Sequence, residues 1–180
     1  MTTSPIYIAL GANLPLGNVS PRQTLNAALE ALAVRDIELV ARSSDWHSPA
    51  WPDPSEPPYV NAVAEVTTGL SARTLLDALH AVETQFGRVR NLRWEPRVLD
   101  LDLVDFRGEI HTDRDGLIVP HPRATQRGFV LLPLQEIAPT WCDPKSGRVI
   151  DALIGALPAD QTAGLYPLQS RSLETVQGLA

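Results

Sequence analysis

Two aspartates, Asp100 and Asp102, stand two residues apart in the run Val98-Leu99-Asp100-Leu101-Asp102-Leu103-Val104. In an extended strand, residues i and i+2 share a face, so both carboxylates look one way. Leu99, Leu101 and Leu103 then look the other way, into a core. Paired carboxylates repel and raise each other's pKa unless a cation sits between them. Four arginines, Arg88, Arg90, Arg93 and Arg97, crowd the ten residues just upstream. Hard oxygens beside guanidinium groups suit Mg²⁺ held against a polyphosphate.

The elements around this run read as an alternation of strands and helices. Ile6–Leu10 is a short apolar strand closed by Gly11, and residues 11–19 form a loop. Ser20 is the expected N-cap of a helix, with Pro21 in its first turn and an apolar stripe through Leu25, Ala28, Leu29 and Leu32. Glu38–Trp46 reads as a second strand. His47–Pro58 holds five prolines in twelve residues and reads as an irregular surface loop. Tyr59–Thr67 is a third strand, in which Tyr59 and Asn61 share a face. Ser71 caps a second helix whose stripe is Leu75, Leu79, Val82 and Phe86, and Gly87 ends it. The Asp100 strand is the fourth.

That order, β-α-β-β-α-β, predicts an α+β ferredoxin-like core with both helices on one face of an antiparallel sheet. In it the first and fourth strands lie as neighbours or near the sheet centre, so the Gly11 loop can approach Asp100. Downstream, Leu117–His121 reads as a short extended piece, Gly128–Ile137 as a helix despite Pro133, and Val149–Leu157 as another short helix. Covering the sheet's second face, they would give a three-layer αβα sandwich. The expected organisation is one domain over residues 1–160 with a polar, loosely packed tail over 161–180.

The chain has 180 residues, 44% of them hydrophobic, and a formal net charge of −6. The size suits a single core, and the charge argues against an electrostatic nucleic-acid binder. Fourteen of its fifteen basic residues are Arg, and eight fall between Arg88 and Arg127. Arg presents a planar fork that matches phosphate. Cys142 is the one cysteine, so no internal disulfide is possible. With neither a signal-peptide pattern nor a membrane span, the expectation is a cytoplasmic protein.

The chain resembles the 6-hydroxymethyl-7,8-dihydropterin pyrophosphokinase family from about Ile6 to about Pro139. The residues that carry the likeness are Leu10-Gly11-Ala12-Asn13-Leu14, Ser48-Pro49, Tyr59-Val60-Asn61, Glu83 and Gly87-Arg88-Val89-Arg90. They continue with Arg93-Trp94, Pro96-Arg97, Leu99-Asp100-Leu101-Asp102, Pro120-His121 and Arg127-Gly128-Phe129.

The resemblance implies diphosphate transfer from ATP to the pterin alcohol, with release of AMP, in tetrahydrofolate biosynthesis. It implies two Mg²⁺ ions on Asp100 and Asp102, and catalytic roles for these aspartates with Arg88 and Arg97. Glu83, Arg88, Arg97, Leu103, His121 and Arg127 would bind ATP. Ser48, Pro49, Trp51, Tyr59, Asn61, Trp94, Asp100 and Phe129 would bind the pterin, with Tyr59 and Phe129 sandwiching the ring and Asn61 reading its edge. Arg90, Arg93 and Trp94 would form a closing loop. Two residues separate Arg90 from Arg93 where a common family form has three, and Glu95 stands where a small residue is usual. The expected partners are small molecules, with no nucleic acid or membrane, and the expected state is a monomer. The alternative is a non-catalytic nucleotide-binding or RNA-binding ferredoxin-like domain, the latter lacking stacking aromatics where Asp100 and Asp102 stand.

Overall fold

The computed structural model describes residues 4–51, 53–87, 98–113 and 116–169. The chain runs β1 (Ile6–Ala12), α1 (Pro21–Ala33), β2 (Ile37–Arg42), β3 (Trp46–Ser48), β4 (Tyr59–Thr68), α2 (Ala72–Gln85) and β5 (Asp100–Phe106). It continues with β6 (His111–Thr112), β7 (Ile118–Val119), α3 (Gly128–Ile137), α4 (Ile150–Ile154) and β8 (Tyr166–Pro167). Single 3-10 turns occupy Ala124–Gln126 and Ala159–Gln161.

The two long helices begin where their caps dictate. The Ser20 hydroxyl accepts from the Gln23 N–H and the Gln23 side chain accepts from the Ser20 N–H, a reciprocal capping box with Pro21 at the first turn. Ser71 Oγ accepts from the Thr74 N–H. At the far end of α2, Gly87 takes a φ of +85°, which only glycine adopts without strain.

The main sheet is antiparallel, in the order β5-β1-β4-β3-β8, with β2 paired to the other end of β4. Alternation along β1 divides the interior. Ile6, Ile8 and Leu10 pack with Leu25, Leu32, Leu75, Leu79 and Leu101 beneath α1 and α2. Tyr7 and Ala9 pack with Val63, Val104, Leu131, Leu134 and Ile150 beneath α3 and α4. In β5 the alternation breaks: Leu103 opposes Ile8 while Asp105 opposes Tyr7, so Val104 is an extra residue. This bulge turns Asp105 inward, where it accepts from Trp141 Nε1 at 2.7 Å.

The structure departs from the sequence expectation in three places. The second strand is two strands, β2 and β3, separated at Ser43–Asp45. Ser43 Oγ accepts from the Val63 N–H at 3.0 Å, and a side chain thereby takes the place of a ladder bond. His47 and Ser48 belong to β3, so the irregular loop starts at Pro49. The tail expected to be loosely held is attached over 161–169: Tyr166–Pro167 pairs with Trp46–His47, and the Leu168 N–H donates to the Asp45 carbonyl at 2.7 Å. Residues 170–180 lie outside the described residues. β7 falls within the extended piece expected over Leu117–His121, whereas its partner β6 has no sequence signal, because a two-residue strand is fixed by tertiary contact alone.

Candidate functional site

The paired carboxylates are placed by the register of β5 on β1. Asp100 lies opposite Gly11, and Asp102 opposite Ala9. Across the other side of β1, Gly11 lies opposite Asn61, and Asn61 opposite Trp46 of β3. Directly opposed residues present their side chains to one face. One row therefore runs Asp100, Gly11, Asn61, Trp46, on the face away from α1 and α2. Asp100 and Asn61 sit two strand spacings apart, about 10 Å. The floor between them is open because Gly11 has no side chain: a Cβ there would lie 3.3 Å from Asn61 Oδ1.

Asn61 is buried, and its Nδ2 donates to Ser48 Oγ at 2.8 Å. That bond fixes the amide and turns Oδ1 toward Gly11. Tyr59 is half-buried and opposite Ser48. Pro49 is exposed and Trp51 is 68% exposed, so the loop after β3 leaves its tryptophan uncovered. Asn13, buried after β1, donates from Nδ2 to the Pro57 carbonyl at 3.1 Å and ties down the far end of the proline-rich loop.

At the other end of the row, Asp102 gathers two cationic or polar groups. Arg127 Nη1 donates to its Oδ2 at 3.3 Å, and His121 Nε2 lies 3.8 Å from the same oxygen. His121 follows a cis Val119–Pro120 peptide, and its backbone N–H donates to the Val104 carbonyl at 3.1 Å. Its Nδ1 accepts from the Arg123 N–H at 3.2 Å, which leaves the proton of the neutral ring on Nε2. Burial holds the imidazole pKa below its usual value, with Arg127 and Arg123 pushing the same way against Asp102 and Asp100. A neutral N–H donor therefore faces Asp102. The Arg127 guanidinium also lies over the half-buried Phe129 ring, 5.5 Å from its centroid.

Beside Asp102 opens a cavity of about 220 Å³, lined by Leu76, His80, Leu103, Leu117, Val119 and His121 among others. Leu76 and His80 lie one helical turn apart on α2. They carried no motif signal, and only their i, i+4 spacing marks them as neighbours. A larger hollow, about 470 Å³, is bordered by Thr125, Arg148, Leu157 and Gln161 and shares no lining residue with the first. Asp102 and the His121 imidazole lie on the first, which is the chemically furnished one.

Glu83 is fully buried, where a lone helix glutamate is usually exposed. Its Oε1 accepts from the Leu101 N–H at 2.8 Å, between Asp100 and Asp102. β5 is an edge strand, so α2 satisfies an amide that no further strand reaches. Arg88, Arg90, Arg93, Trp94 and Arg97 lie outside the described residues.

Asp100 and Asp102 supply hard oxygens on one face, and no group of three or more metal-binding side chains occurs among the described residues. Mg²⁺ keeps several waters and is commonly held by one or two carboxylates together with substrate phosphates, so this donor set fits it. No helix among the described residues is long and apolar enough to cross a membrane.

The class so defined is a protein of mixed helix and antiparallel sheet in which a carboxylate, an imidazole and a guanidinium meet at the Asp102 edge of the sheet. Residues 7–139 match the model of the 7,8-dihydro-6-hydroxymethylpterin-pyrophosphokinase family. A 2-amino-4-hydroxy-6-hydroxymethyldihydropteridine pyrophosphokinase of Synechocystis sp. is 44% identical over 140 residues, 77% of this chain and 71% of that one. The enzyme of the same name from Pseudomonas aeruginosa is 43% identical over 154 residues, 85% of this chain and 91% of its own. A solved HPPK-DHPS structure in complex with substrates matches the fold with a TM-score of 0.62 at 12% identity, over 86% of this chain and 43% of that one. The chain belongs to the 7,8-dihydro-6-hydroxymethylpterin-pyrophosphokinase family.

Proposed function

We propose that this chain transfers the diphosphate of ATP to the hydroxymethyl group of 6-hydroxymethyl-7,8-dihydropterin and releases AMP, in tetrahydrofolate biosynthesis. Family membership supports the activity. The observation that carries it structurally is the row in which Gly11 leaves an open floor between Asp100 and Asn61.

In this reading the Asn61 end holds the pterin and the Asp102 end holds the nucleotide. Asn61, fixed by Ser48, reads the ring's amino–oxo edge, and an amide offers both the donor and the acceptor that edge requires. Tyr59 and Phe129 flank the ring, and Pro49, Trp51 and Trp94 enclose it. His121 and Arg127 steer the triphosphate, with Arg88 and Arg97, beside the cavity that Leu103 lines. Arg90, Arg93 and Trp94 close over the bound pair and exclude water. Asp100 and Asp102 would hold two Mg²⁺, which when bound neutralise phosphate charge. The pterin hydroxyl oxygen forms a bond to the β-phosphorus as the bridging α–β oxygen leaves with AMP, and Asp100 receives the hydroxyl proton. Glu83 keeps both aspartates on register through Leu101.

We read the scaffold as the ferredoxin-like βαββαβ core with α3 and α4 as a third layer, an organisation supported by the strand order and the two separate apolar clusters. The same reading makes the chain a single-domain cytoplasmic monomer acting on small molecules, with neither nucleic acid nor membrane as partner. The test is AMP release from ATP, followed with and without the pterin and with Mg²⁺ or EDTA. AMP should form only with pterin and Mg²⁺ together, and Asp102→Asn should lower the rate at least about a hundredfold. AMP release that ignores the pterin, or full activity in EDTA, would overturn the reading.

A further inference from the structure

The segment 159–169 lies beyond the family match, which ends at residue 139, and touches both sides of the proposed pterin pocket. At its start, the Gln161 carbonyl sits against Gly128, where a Cβ would be only 2.0 Å from that oxygen. Gly128 is the first residue of α3 and directly precedes Phe129. Three residues on, Gly164 packs on Pro49: with φ at +72°, a Cβ there would meet Pro49 Cγ at 2.8 Å. The Gly164 carbonyl accepts from His47 Nδ1 at 3.0 Å. Tyr166 then stacks on His47 with ring centroids 4.5 Å apart and planes 13° from parallel. β8 joins the sheet at β3, the strand that ends in Ser48. Arg22 finally donates to the Gln169 carbonyl at 3.2 Å.

We propose that residues 159–169 are a strap that sets the spacing between the Ser48–Trp51 loop and the start of α3, with Tyr166 as a positioning residue for pterin binding. The inference rests on the assignment of that pocket to the pterin. Its logic is topological. β8 and β3 lie at one end of the sheet, whereas β5, with Asp102 and the cavity beside it, lies at the other. Loosening the strap at Tyr166 therefore acts on β3 and the Ser48–Trp51 loop, on the pterin side, rather than on the Gln161–Gly128 contact next to Arg127. Stacked rings contribute modestly, so the effect is graded rather than absolute.

The experiment compares the full chain with Tyr166→Ala and Tyr166→Phe. Tyr166→Ala should raise KM for the pterin about three- to tenfold, with KM for ATP unchanged, and Tyr166→Phe should restore it because the stack survives. Equal rises in both KM values, an unchanged pterin KM, or failure of Tyr166→Phe to rescue would overturn the strap. A second measurement needs no substrate. Amide hydrogen exchange over residues 46–51 should quicken in Tyr166→Ala and return to normal in Tyr166→Phe; unaltered protection sinks the proposal whatever the chain catalyses. Failure of the activity assignment would show instead in the unaltered chain, as absence of pterin-dependent AMP.

Discussion

Gly11 stands between Asp100 and Asn61 on neighbouring strands, and the site's floor depends on the atom it lacks. A strand does not need glycine for its own sake; valine is the better strand former and would suit the backbone. Gly11→Val therefore separates fold from function. Its branched side chain would fill the trough from a Cβ already 3.3 Å from Asn61 Oδ1. The expected result is a rise of at least about tenfold in KM for the pterin with a melting temperature shifted by no more than about 5 °C. A variant that binds pterin normally would show that the ring does not lie over Gly11. At this scale the acidic pair was legible in the sequence, because i and i+2 fix a shared face without reference to anything distant. The approach of the Gly11 loop to Asp100 follows from the strand order, but its exact register there and its place opposite Asn61 do not, since cross-strand register is decided by residues fifty to ninety positions away in the chain.

Elements reach the site through a few bonds between them. α2 touches the edge of β5 through Glu83, whose carboxylate takes the Leu101 N–H in a fully buried setting. α3 holds β3 from the other side: Glu136 accepts from the Ser44 N–H at 2.7 Å and from Trp46 Nε1 at 2.8 Å. Glu83→Ala leaves a buried amide without this acceptor, which costs about 1–3 kcal/mol. It also frees the strand that carries Asp100 and Asp102. Urea unfolding should report that loss, and AMP formation should fall further than stability alone explains. Glu83→Gln retains an acceptor and should recover most of the stability. Equal behaviour of the two variants would deny Glu83 this role. The helices themselves were readable from Ser20, Gln23 and Ser71 and from leucine spacing, because caps and stripes are local. Periodicity alone runs β2 and β3 together, because Ser43 breaks the strand by bonding Val63, a partner twenty residues on. β8 was missed because Tyr166 and Pro167 form a strand only against β3.

For the whole molecule, the two apolar clusters differ in what they conceal. The cluster beneath α3 and α4 includes Tyr7 and closes over Asp105, and both titrate against the fold. Burial pushes the Asp105 pKa above the ordinary 3.8, assisted by nearby Asp143 and opposed by hydrogen bonds from Trp141 and Gly108. A raised folded-state pKa means that Asp105's contribution to stability is complete below pH 3.8 and is lost as pH rises through the folded value. Burial, then Glu65 and Asp105, push Tyr7 from 10.0 up to about 12. Its contribution is complete below pH 10 and is lost as pH climbs to about 12. Other carboxylates impose their own pH dependence, so each effect is read as a difference between variants. Asp105→Asn cannot ionise but loses one of two acceptors, Gly108 N–H and Trp141 Nε1 being the donors. It should be less stable than the unaltered chain by about 1–3 kcal/mol near pH 4, with the gap narrowing toward pH 7. A gap that stays constant would mean Asp105 ionises as freely folded as unfolded. Tyr7→Phe should remove the part of alkaline destabilisation that falls between pH 10 and about 12. In the unaltered chain the Tyr7 phenol should titrate late by absorbance over that same interval, identified by its loss in Tyr7→Phe. If Tyr7→Phe leaves the absorbance titration between pH 10 and about 12 unchanged, Tyr7 does not lie sealed beneath α3.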